Sequence, residues 1–173
     1  MKTLFPKQKE AVDFFLDVIK SGRNTFDASS VGTGKTVVAC HLAKQLGVPV
    51  AVMCPKAVIP SWEREMEDTG VAPLFVLNYE KLRTGKTKFM DKSGKKIIKW
   101  KLPENTLVLV DEIQKAKGPY TVNAQMLISL VQQGYRVHGM SATAAEDPTE
   151  MRPLGFMLDL HSLNKSEDGK INW

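Results

Sequence analysis

The sequence has few of the features that mark secreted, disulfide-bonded or membrane-spanning proteins. Its 173 residues include two cysteines, Cys40 and Cys54, which are far apart and lack CxxC spacing, so neither a disulfide framework nor a zinc site is indicated. No apolar run approaches the roughly 20 residues that a membrane-spanning helix needs. The first residues run directly into charged ones, which argues against a secretory signal. We therefore expect an intracellular, cytoplasmic protein, compatible with nucleoid or nuclear association.

The chain carries little net charge outside one segment. Its formal net charge is +5, from 24 Lys and Arg against 19 Asp and Glu. Nine basic residues and one acidic residue lie between Lys81 and Lys101, which leaves the remainder slightly acidic. A concentrated positive charge of this kind favours an anionic partner.

Apolar patterns typical of strands and of helices alternate along the chain. Strands are predicted at 24–28, 48–53, 74–77, 107–110 and 136–140, and helices at 6–21, 35–46, 59–67, 120–133 and 148–160. Residues 88–90 and 97–100 flank the turn sequence Asp91-Lys92-Ser93-Gly94, which predicts a basic β-hairpin inserted at about 84–103. Alternating strands and helices form mostly parallel sheets with helices on both faces, so we predict an α/β fold.

A glycine-rich segment, Gly32-Thr33-Gly34-Lys35-Thr36, follows a predicted strand and begins a predicted helix. Glycines let backbone N–H groups wrap around phosphate oxygens, and the helix N-terminus adds partial positive charge. We expect Lys35 to reach the β- and γ-phosphates and the Thr36 hydroxyl to ligate Mg²⁺. The predicted nucleotide site includes the preceding Ser29, Ser30 and Val31, although Ser29 stands where the general pattern has glycine. The alternative is a tight turn that only caps a helix.

The tripeptide Gly-Lys-Thr occurs a second time, at Gly85-Lys86-Thr87. No glycine-rich turn precedes this copy, and no amphipathic helix follows it. We therefore assign this second copy to the basic segment. The phosphate-binding prediction for the first copy depends on its preceding strand and following helix, not on the tripeptide alone.

An apolar strand, Leu107 to Val110, ends in the two carboxylates Asp111 and Glu112. Ligands of open α/β sheets bind at the carboxyl ends of the strands. We expect Asp111 to hold Mg²⁺, which prefers a few carboxylates together with phosphate oxygens and water. Glu112 is placed to orient and deprotonate the attacking water. The alternative is a polar strand end that caps the next helix.

Together, residues 4–160 resemble the first RecA-like domain of superfamily 2 helicases and translocases, and among these the Swi/Snf-like DNA-dependent ATPases. The resemblance implies a RecA-like P-loop NTPase domain at 1–160 that hydrolyses ATP with Mg²⁺ and drives movement on, or remodelling of, double-stranded DNA. It also implies a second RecA-like domain, for which the polar tail at 161–173 is too short. We therefore expect a fragment, or a chain that works with a partner chain, and very low ATPase activity from these 173 residues alone.

The resemblance also assigns roles to single residues. Gln8 matches a glutamine that reads adenine, and Lys56, after Met53-Cys54-Pro55, matches a contact to a nucleic-acid phosphate. Asn78-Tyr79-Glu80 resembles a further segment near the nucleic-acid path, whereas Trp62 is expected to pack in the core. Asp111-Glu112-Ile113-Gln114 matches the DExx box. Ser141-Ala142-Thr143 matches the motif that couples hydrolysis to domain movement, a role in which we include Gln114. The alternatives are solvated polar positions for Gln8 and Lys56, and a simple Ser/Thr turn at Ser141.

The basic hairpin supplies the remaining candidates for nucleic-acid contact. Lys86, Lys88, Lys95 and Lys96 could neutralise backbone phosphates, and Phe89 and Trp100 could stack on bases or wedge at a duplex junction. Alternatively, the hairpin is merely solvated and its two aromatic side chains pair across the strands. For the whole chain, the alternatives to a DNA motor are an RNA helicase, a small-molecule phosphotransferase and a non-catalytic nucleic-acid-binding module.

Overall fold

A computed structural model of the chain describes residues 3–93, 97–118, 120–143 and 148–163. In these residues the strands are β1 (Thr25–Asp27), β2 (Val50–Cys54), β3 (Phe75–Asn78), β4 (Met90–Ser93), β5 (Ile97–Trp100), β6 (Leu107–Asp111) and β7 (Arg136–Met140). The helices are α1 (Pro6–Lys20), α2 (Lys35–Leu46), α3 (Ile59–Thr69), α4 (Tyr79–Arg83), α5 (Val122–Gln132) and α6 (Arg152–Met157). Short 3₁₀ helices lie at Lys56–Val58, Ile113–Ala116 and Pro148–Met151.

Five parallel strands form the central sheet in the order β1-β7-β6-β2-β3. Its register aligns Asp27 with Met140, and Met140 with Asp111. Since parallel strands end at the same edge, the polar residues at their carboxyl ends are brought together there. The predicted α/β fold with a parallel sheet is confirmed.

Helices cover both faces of this sheet because successive residues of a strand point to opposite sides. Val50, Val52 and Leu109 pack with α1, α2 and α3 in one buried cluster. Ala51 and Met53 belong to a second cluster, with α5, α6 and the hairpin strands. The continuous apolar runs of β2 and β6 are therefore those of strands buried on both faces.

Most element boundaries agree with the predictions to within two residues, but three structured segments were missed. One is α4, which begins where the Asn78 side chain accepts a hydrogen bond from the Lys81 N–H at 3.1 Å. The other two are the 3₁₀ helices at Lys56–Val58 and Ile113–Ala116. The helix predicted over 148–160 is a 3₁₀ helix followed by the short α6. No helix in the described part of the chain combines the length and hydropathy needed to cross a bilayer. Cys40 and Cys54 are both buried and neither forms a disulfide, as expected of core residues.

The hairpin differs from its prediction in where it turns. Asp91, Lys92 and Ser93 belong to β4 and pair with β5, so they do not form the predicted turn; residues 94–96 lie outside the described residues. Lys101 forms an ion pair with Asp91 at 2.7 Å, which removes part of the expected positive charge. Residues 91–93 are of types that favour turns, but here they pair with β5 and lie in a strand.

The hairpin is docked on the core, and Trp100 is consequently not available to nucleic acid. Its side chain is 3% exposed, and its indole N–H donates to Ser129 Oγ at 2.9 Å. Gln133 fixes the strand further, accepting from the Trp100 backbone N–H and donating to the Ile98 carbonyl, both at 2.9 Å. Base stacking by Trp100 was therefore a wrong prediction. Pairing with Phe89 was wrong as well, because Trp100 lies opposite Met90 and Phe89 packs on Phe75.

A buried histidine joins the edge strand to the centre of the sheet. His138 on β7 is fully buried, and its Nδ1 lies 2.8 Å from Thr25 Oγ1 on β1. The Phe15 ring packs edge-on against its imidazole at 4.8 Å. Burial lowers the pKa of His138 from 6.5 to about 4, although the nearby Asp27 charge acts in the opposite direction.

This pKa makes the stability of the fold depend on pH. Because the unfolded chain binds more protons between pH 6.5 and about 4, the free energy of unfolding falls as the pH drops through this range. We expect His138 to account for about 2–3 kcal/mol of the difference between pH 7 and pH 4.5. Urea unfolding of His138→Asn, which keeps a polar partner for Thr25, should show a pH dependence reduced by this amount. An unchanged pH dependence would contradict the assignment.

Candidate nucleotide-binding site

The loop between β1 and α2 is shaped by two glycines and a set of short hydrogen bonds. Gly32 and Gly34 have φ values of 81° and 86°, in the left-handed region that favours glycine. Asp27 Oδ1 accepts from the Ser29 N–H at 2.9 Å, and Thr33 Oγ1 lies 2.8 Å from Ser29 Oγ and 2.9 Å from the Ser30 carbonyl. Val31 at the tip is 86% exposed. Ser29 needs no positive φ, so serine replaces the expected glycine and braces the loop through its hydroxyl.

Lys35 folds back over this loop from the first turn of α2. Its Nζ donates to the carbonyls of Ser29 at 2.7 Å and Ser30 at 2.9 Å. The side chain is half-buried, and Thr36 follows it in the same turn, also half-buried. The amine and the helix N-terminus therefore lie together against the loop, as phosphate binding requires.

Gln8 packs against the phosphate loop and is not a solvated position on α1. Its Nε2 donates to the Thr33 carbonyl at 2.9 Å, while its Oε1 accepts from the Phe5 N–H at 3.0 Å. A Cβ atom at Gly34 would displace the Gln8 amide from this position, and the φ of Gly34 favours glycine independently. A cavity of about 180 Å³ adjoins Gln8, Thr33 and Lys35.

Asp111 is held from two directions at the end of β6. Its Oδ2 accepts from the Trp62 indole N–H at 2.9 Å, and its main-chain carbonyl accepts from the Tyr79 hydroxyl at 2.6 Å. Burial raises the pKa of Asp111 and the neighbouring Glu112 raises it further, whereas the Trp62 hydrogen bond and the Lys35 charge act to lower it. The influence of Lys35 places the amine and the carboxylate in one electrostatic environment.

Glu112 has an unusual backbone for a residue other than glycine. Its φ is 53°, in the left-handed region, and the 3₁₀ helix at Ile113–Ala116 begins directly after it. Its carboxylate accepts a hydrogen bond from the Gln114 side-chain amide. Strained residues of this kind are concentrated at functional sites, and here the strain turns the chain immediately after the metal ligand candidate. The role of a helix cap is not observed, since the Glu112 side chain makes no cap hydrogen bond.

Ser141 connects the end of β7 to the start of the phosphate loop. Its backbone N–H donates to the Asp27 carbonyl at 3.1 Å. Its buried hydroxyl donates to the Thr143 carbonyl at 2.7 Å and accepts from the Thr143 N–H at 3.0 Å, with Ala142 between them. A Ser/Thr turn is thus present, and it lies beside the residue that braces the loop.

The described candidates for nucleic-acid contact lie on different elements. Lys56 is exposed just after β2, at the same edge of the sheet as the phosphate loop. Lys86 and Lys88 are exposed before β4, where Lys88 Nζ lies 5.1 Å from the Phe89 ring centroid. Lys95 and Lys96 lie outside the described residues. Of the four described candidates, the three lysines are therefore exposed and Trp100 is buried.

Three residues support the site in ways that were not predicted from the sequence. Asp27 braces the phosphate loop, but its position at a strand end was indistinguishable from an ordinary polar terminus. Trp62 and Tyr79 contact Asp111 from α3 and α4, at separations of 49 and 32 residues. Contacts at such separations depend on tertiary packing and leave no local pattern.

The donor set matches magnesium bound together with a nucleotide. In the described residues, no three His, Cys, Asp or Glu side chains come together as a metal cluster. Mg²⁺ is usually held by one or two protein groups, with phosphate oxygens and water completing its six ligands. The Asp111 carboxylate and the Thr36 hydroxyl supply such a partial set beside the phosphate loop.

Comparison with known proteins agrees with this geometry. No protein-family model matches the chain. Its sequence is 31% identical over 187 residues to the "Putative ATP-dependent RNA helicase L364" of Acanthamoeba polyphaga mimivirus, covering 95% of this chain and 35% of that protein. Its fold matches the SWI2/SNF2 ATPase core of Sulfolobus solfataricus, solved in complex with dsDNA, with a TM-score of 0.65 and 22% identity over 91% of this chain and 36% of that chain.

The chain therefore spans about a third of the length of each of these two proteins. The parallel sheet, the phosphate loop after β1 and the two carboxylates after β6 occur in the order that the resemblance requires. By fold the chain is a RecA-like α/β domain, and in motif order and sequence it is similar to proteins of the superfamily 2 helicase type.

Proposed function

We propose that this chain is the ATP-binding half of a nucleic-acid-dependent ATPase motor. The observation that carries the proposal is the placement of Lys35 over the phosphate loop, at the same edge of the sheet as the Asp111 carboxylate. The names of the two similar proteins, an ATP-dependent RNA helicase and a SWI2/SNF2 ATPase core, support ATP as the nucleotide. A small-molecule phosphotransferase is disfavoured because the serine turn at Ser141 is tied to the phosphate loop, as a coupling element would be.

Each residue of the site has a defined task in this proposal. The loop N–H groups and Lys35 bind the phosphates, Gln8 contacts the base, and Thr36 and Asp111 hold Mg²⁺. Bound Mg²⁺ supplies charge neutralisation at the β- and γ-phosphates. Glu112 orients the attacking water and accepts its proton, and the Gln114 amide fixes the orientation of the Glu112 carboxylate. The segment from Ser141 to Thr143 couples conformational changes at the phosphate loop to β7.

Nucleotide binding should depend on Lys35 but not on the second Gly-Lys-Thr. In the absence of nucleic acid, we expect Lys35→Ala to weaken binding of a fluorescent ATP analogue with Mg²⁺ by about 10-fold or more, since a charged hydrogen bond contributes about 1.5–3 kcal/mol. Lys86→Ala is the matched control, because Lys86 is exposed and no helix begins after it. Fluorescence titration measures both affinities. Equal affinities in the two variants would contradict phosphate binding by this loop.

Hydrolysis requires more than this chain. A motor needs two bodies that move relative to each other, and an arginine from a second body adds on the order of 10³–10⁵ in rate to related phosphoryl transfers. The single arginine after β7, Arg152, is buried in α6, and its guanidinium donates to the Leu163 carbonyl at 3.4 Å. It is therefore engaged within the domain.

We accordingly expect ATP turnover by the purified chain to be close to that of Glu112→Gln, both with and without duplex DNA. A phosphate-release assay on the two proteins checks this, with Glu112→Gln as the background. Rapid turnover that is lost in Glu112→Gln would show that the chain completes its own site.

We propose double-stranded DNA as the nucleic acid, because the matching fold was solved with dsDNA and the chain carries a concentrated basic segment. RNA is the second candidate, favoured by the name of the mimivirus protein. The proposed contacts to nucleic acid remain the five lysines Lys56, Lys86, Lys88, Lys95 and Lys96. Trp100 is omitted because it is buried.

Charge reversal in the hairpin tests this surface. Lys95→Glu with Lys96→Glu should weaken DNA binding and flatten the slope of log K against log salt by up to about 2, since each neutralised phosphate contributes roughly 0.9. Lys9→Glu with Lys20→Glu, at exposed positions on α1, makes the same change in net charge away from the hairpin. Anisotropy titrations with duplex DNA and duplex RNA distinguish the two nucleic acids. Equal effects of the two double variants would mean that the hairpin affects DNA binding only through the net charge of the chain.

A further inference from the structure

Two buried aromatic side chains direct their only polar hydrogens at Asp111. Trp62 on α3 is 0% exposed, and its indole N–H donates to Asp111 Oδ2 at 2.9 Å. Tyr79, the first residue of α4, is 1% exposed, and its hydroxyl donates to the Asp111 carbonyl at 2.6 Å. Packing alone explains their burial but not the direction of both donors toward a single residue.

These contacts hold Asp111 through its side chain and its main chain. The Trp62 donor occupies one carboxylate oxygen, Oδ2, and a hydrogen bond from the Glu112 backbone also reaches the carboxylate, so its rotation is restricted. The Tyr79 donor fixes the carbonyl at the point where β6 ends and the chain turns sharply at Glu112. Both helices pack on the same buried clusters as the sheet, so the donors themselves have little freedom to move.

We propose that Trp62 and Tyr79 are positioning residues for the magnesium ligand Asp111, Trp62 by setting the direction of the carboxylate and Tyr79 by fixing the strand end. This inference rests on the proposed function, because it assumes that Asp111 holds Mg²⁺ with bound nucleotide. Groups that hydrogen-bond a metal ligand generally change metal affinity by about 10–100-fold when removed. The effect expected here is therefore on the magnesium requirement, not on the affinity for nucleotide without metal.

The chain contains a matched control for each residue. Trp100 is also a buried tryptophan whose indole N–H donates at 2.9 Å, but its acceptor is Ser129 on α5. Tyr135 donates its hydroxyl to a main-chain carbonyl, that of Leu102, at 3.0 Å. Trp→Phe and Tyr→Phe substitutions at these positions remove the same donor with similar loss of packing, away from Asp111.

The first measurement is the Mg²⁺ concentration that gives half of the full binding of a fluorescent ATP analogue. We expect Trp62→Phe to raise it by about 10-fold, and Tyr79→Phe to raise it by a smaller factor. Binding in EDTA should stay within about 2-fold of the unmodified chain, since Lys35 and the loop are untouched. Trp100→Phe and Tyr135→Phe should leave the Mg²⁺ requirement unchanged.

The second measurement uses the unmodified chain and needs no activity. The sequence has three tryptophans, so ¹H–¹⁵N spectra contain few indole signals, which Trp62→Phe and Trp100→Phe assign. Nucleotide with Mg²⁺ should shift the Trp62 indole signal, because its acceptor becomes a metal ligand. Nucleotide in EDTA should shift it much less, and the Trp100 signal should stay in place under both conditions.

The outcomes separate this inference from the function on which it rests. Equal Mg²⁺ requirements in Trp62→Phe and Trp100→Phe, with an unmoved Trp62 signal, would overturn the inference while leaving metal-dependent binding through Lys35 intact. Absence of any Mg²⁺-dependent binding by the unmodified chain would overturn the proposed function and the inference together. If Trp62→Phe does not fold, the comparison of Tyr79→Phe with Tyr135→Phe and the spectra of the unmodified chain decide the question.

Discussion

The parallel register of β1, β7 and β6 places Asp27, Met140 and Asp111 side by side, and the site depends on this alignment. The phosphate loop leaves the sheet directly after Asp27, and the strained turn at Glu112 follows directly after Asp111. Neighbouring strands are about 4.8 Å apart, so the two ends are separated by about two strand spacings with β7 between them. A slip of one residue would exchange the faces of every buried side chain, so the packing of both faces fixes the geometry of the site.

Side-chain hydrogen bonds then fix the loops that leave this edge. Asp27 braces the phosphate loop through Ser29 and accepts from Ser141, so one residue joins β1, β7 and the loop. Gln8 adds a contact from α1, and its amide occupies the space beside Gly34. Trp62 and Tyr79 hold Asp111 by hydrogen bonds from α3 and α4, the helices that follow β2 and β3. The side chains of Asp27, Gln8, Trp62 and Tyr79 are therefore hydrogen-bonded within the domain, while Val31 at the tip of the loop remains at the surface.

The basic hairpin shows how composition can mislead. Its lysines are at the surface where the structure describes them, as charge alone predicts. Its tryptophan is not, because Ser129 and Gln133 on and beside α5 offer hydrogen-bond partners that draw Trp100 into the core. An aromatic residue within a basic segment is compatible with both base stacking and packing. The choice between them depends on the surface against which the hairpin lies.

The sequence by itself determined the α/β fold, the strand–loop–helix context of Lys35 and the apolar strand ending in Asp111 and Glu112. These features follow from local periodicity, from glycine positions and from the covalent order of the chain. Tertiary structure alone decided that Trp62 and Tyr79 hold Asp111, that Ser29 braces its own loop, and that Trp100 is buried. The difference has a physical cause. A strand or a turn is specified by residues within about ten positions. The contacts of Trp62 and Tyr79 with Asp111 join distant segments, and the roles of Ser29 and Trp100 depend on what packs around them.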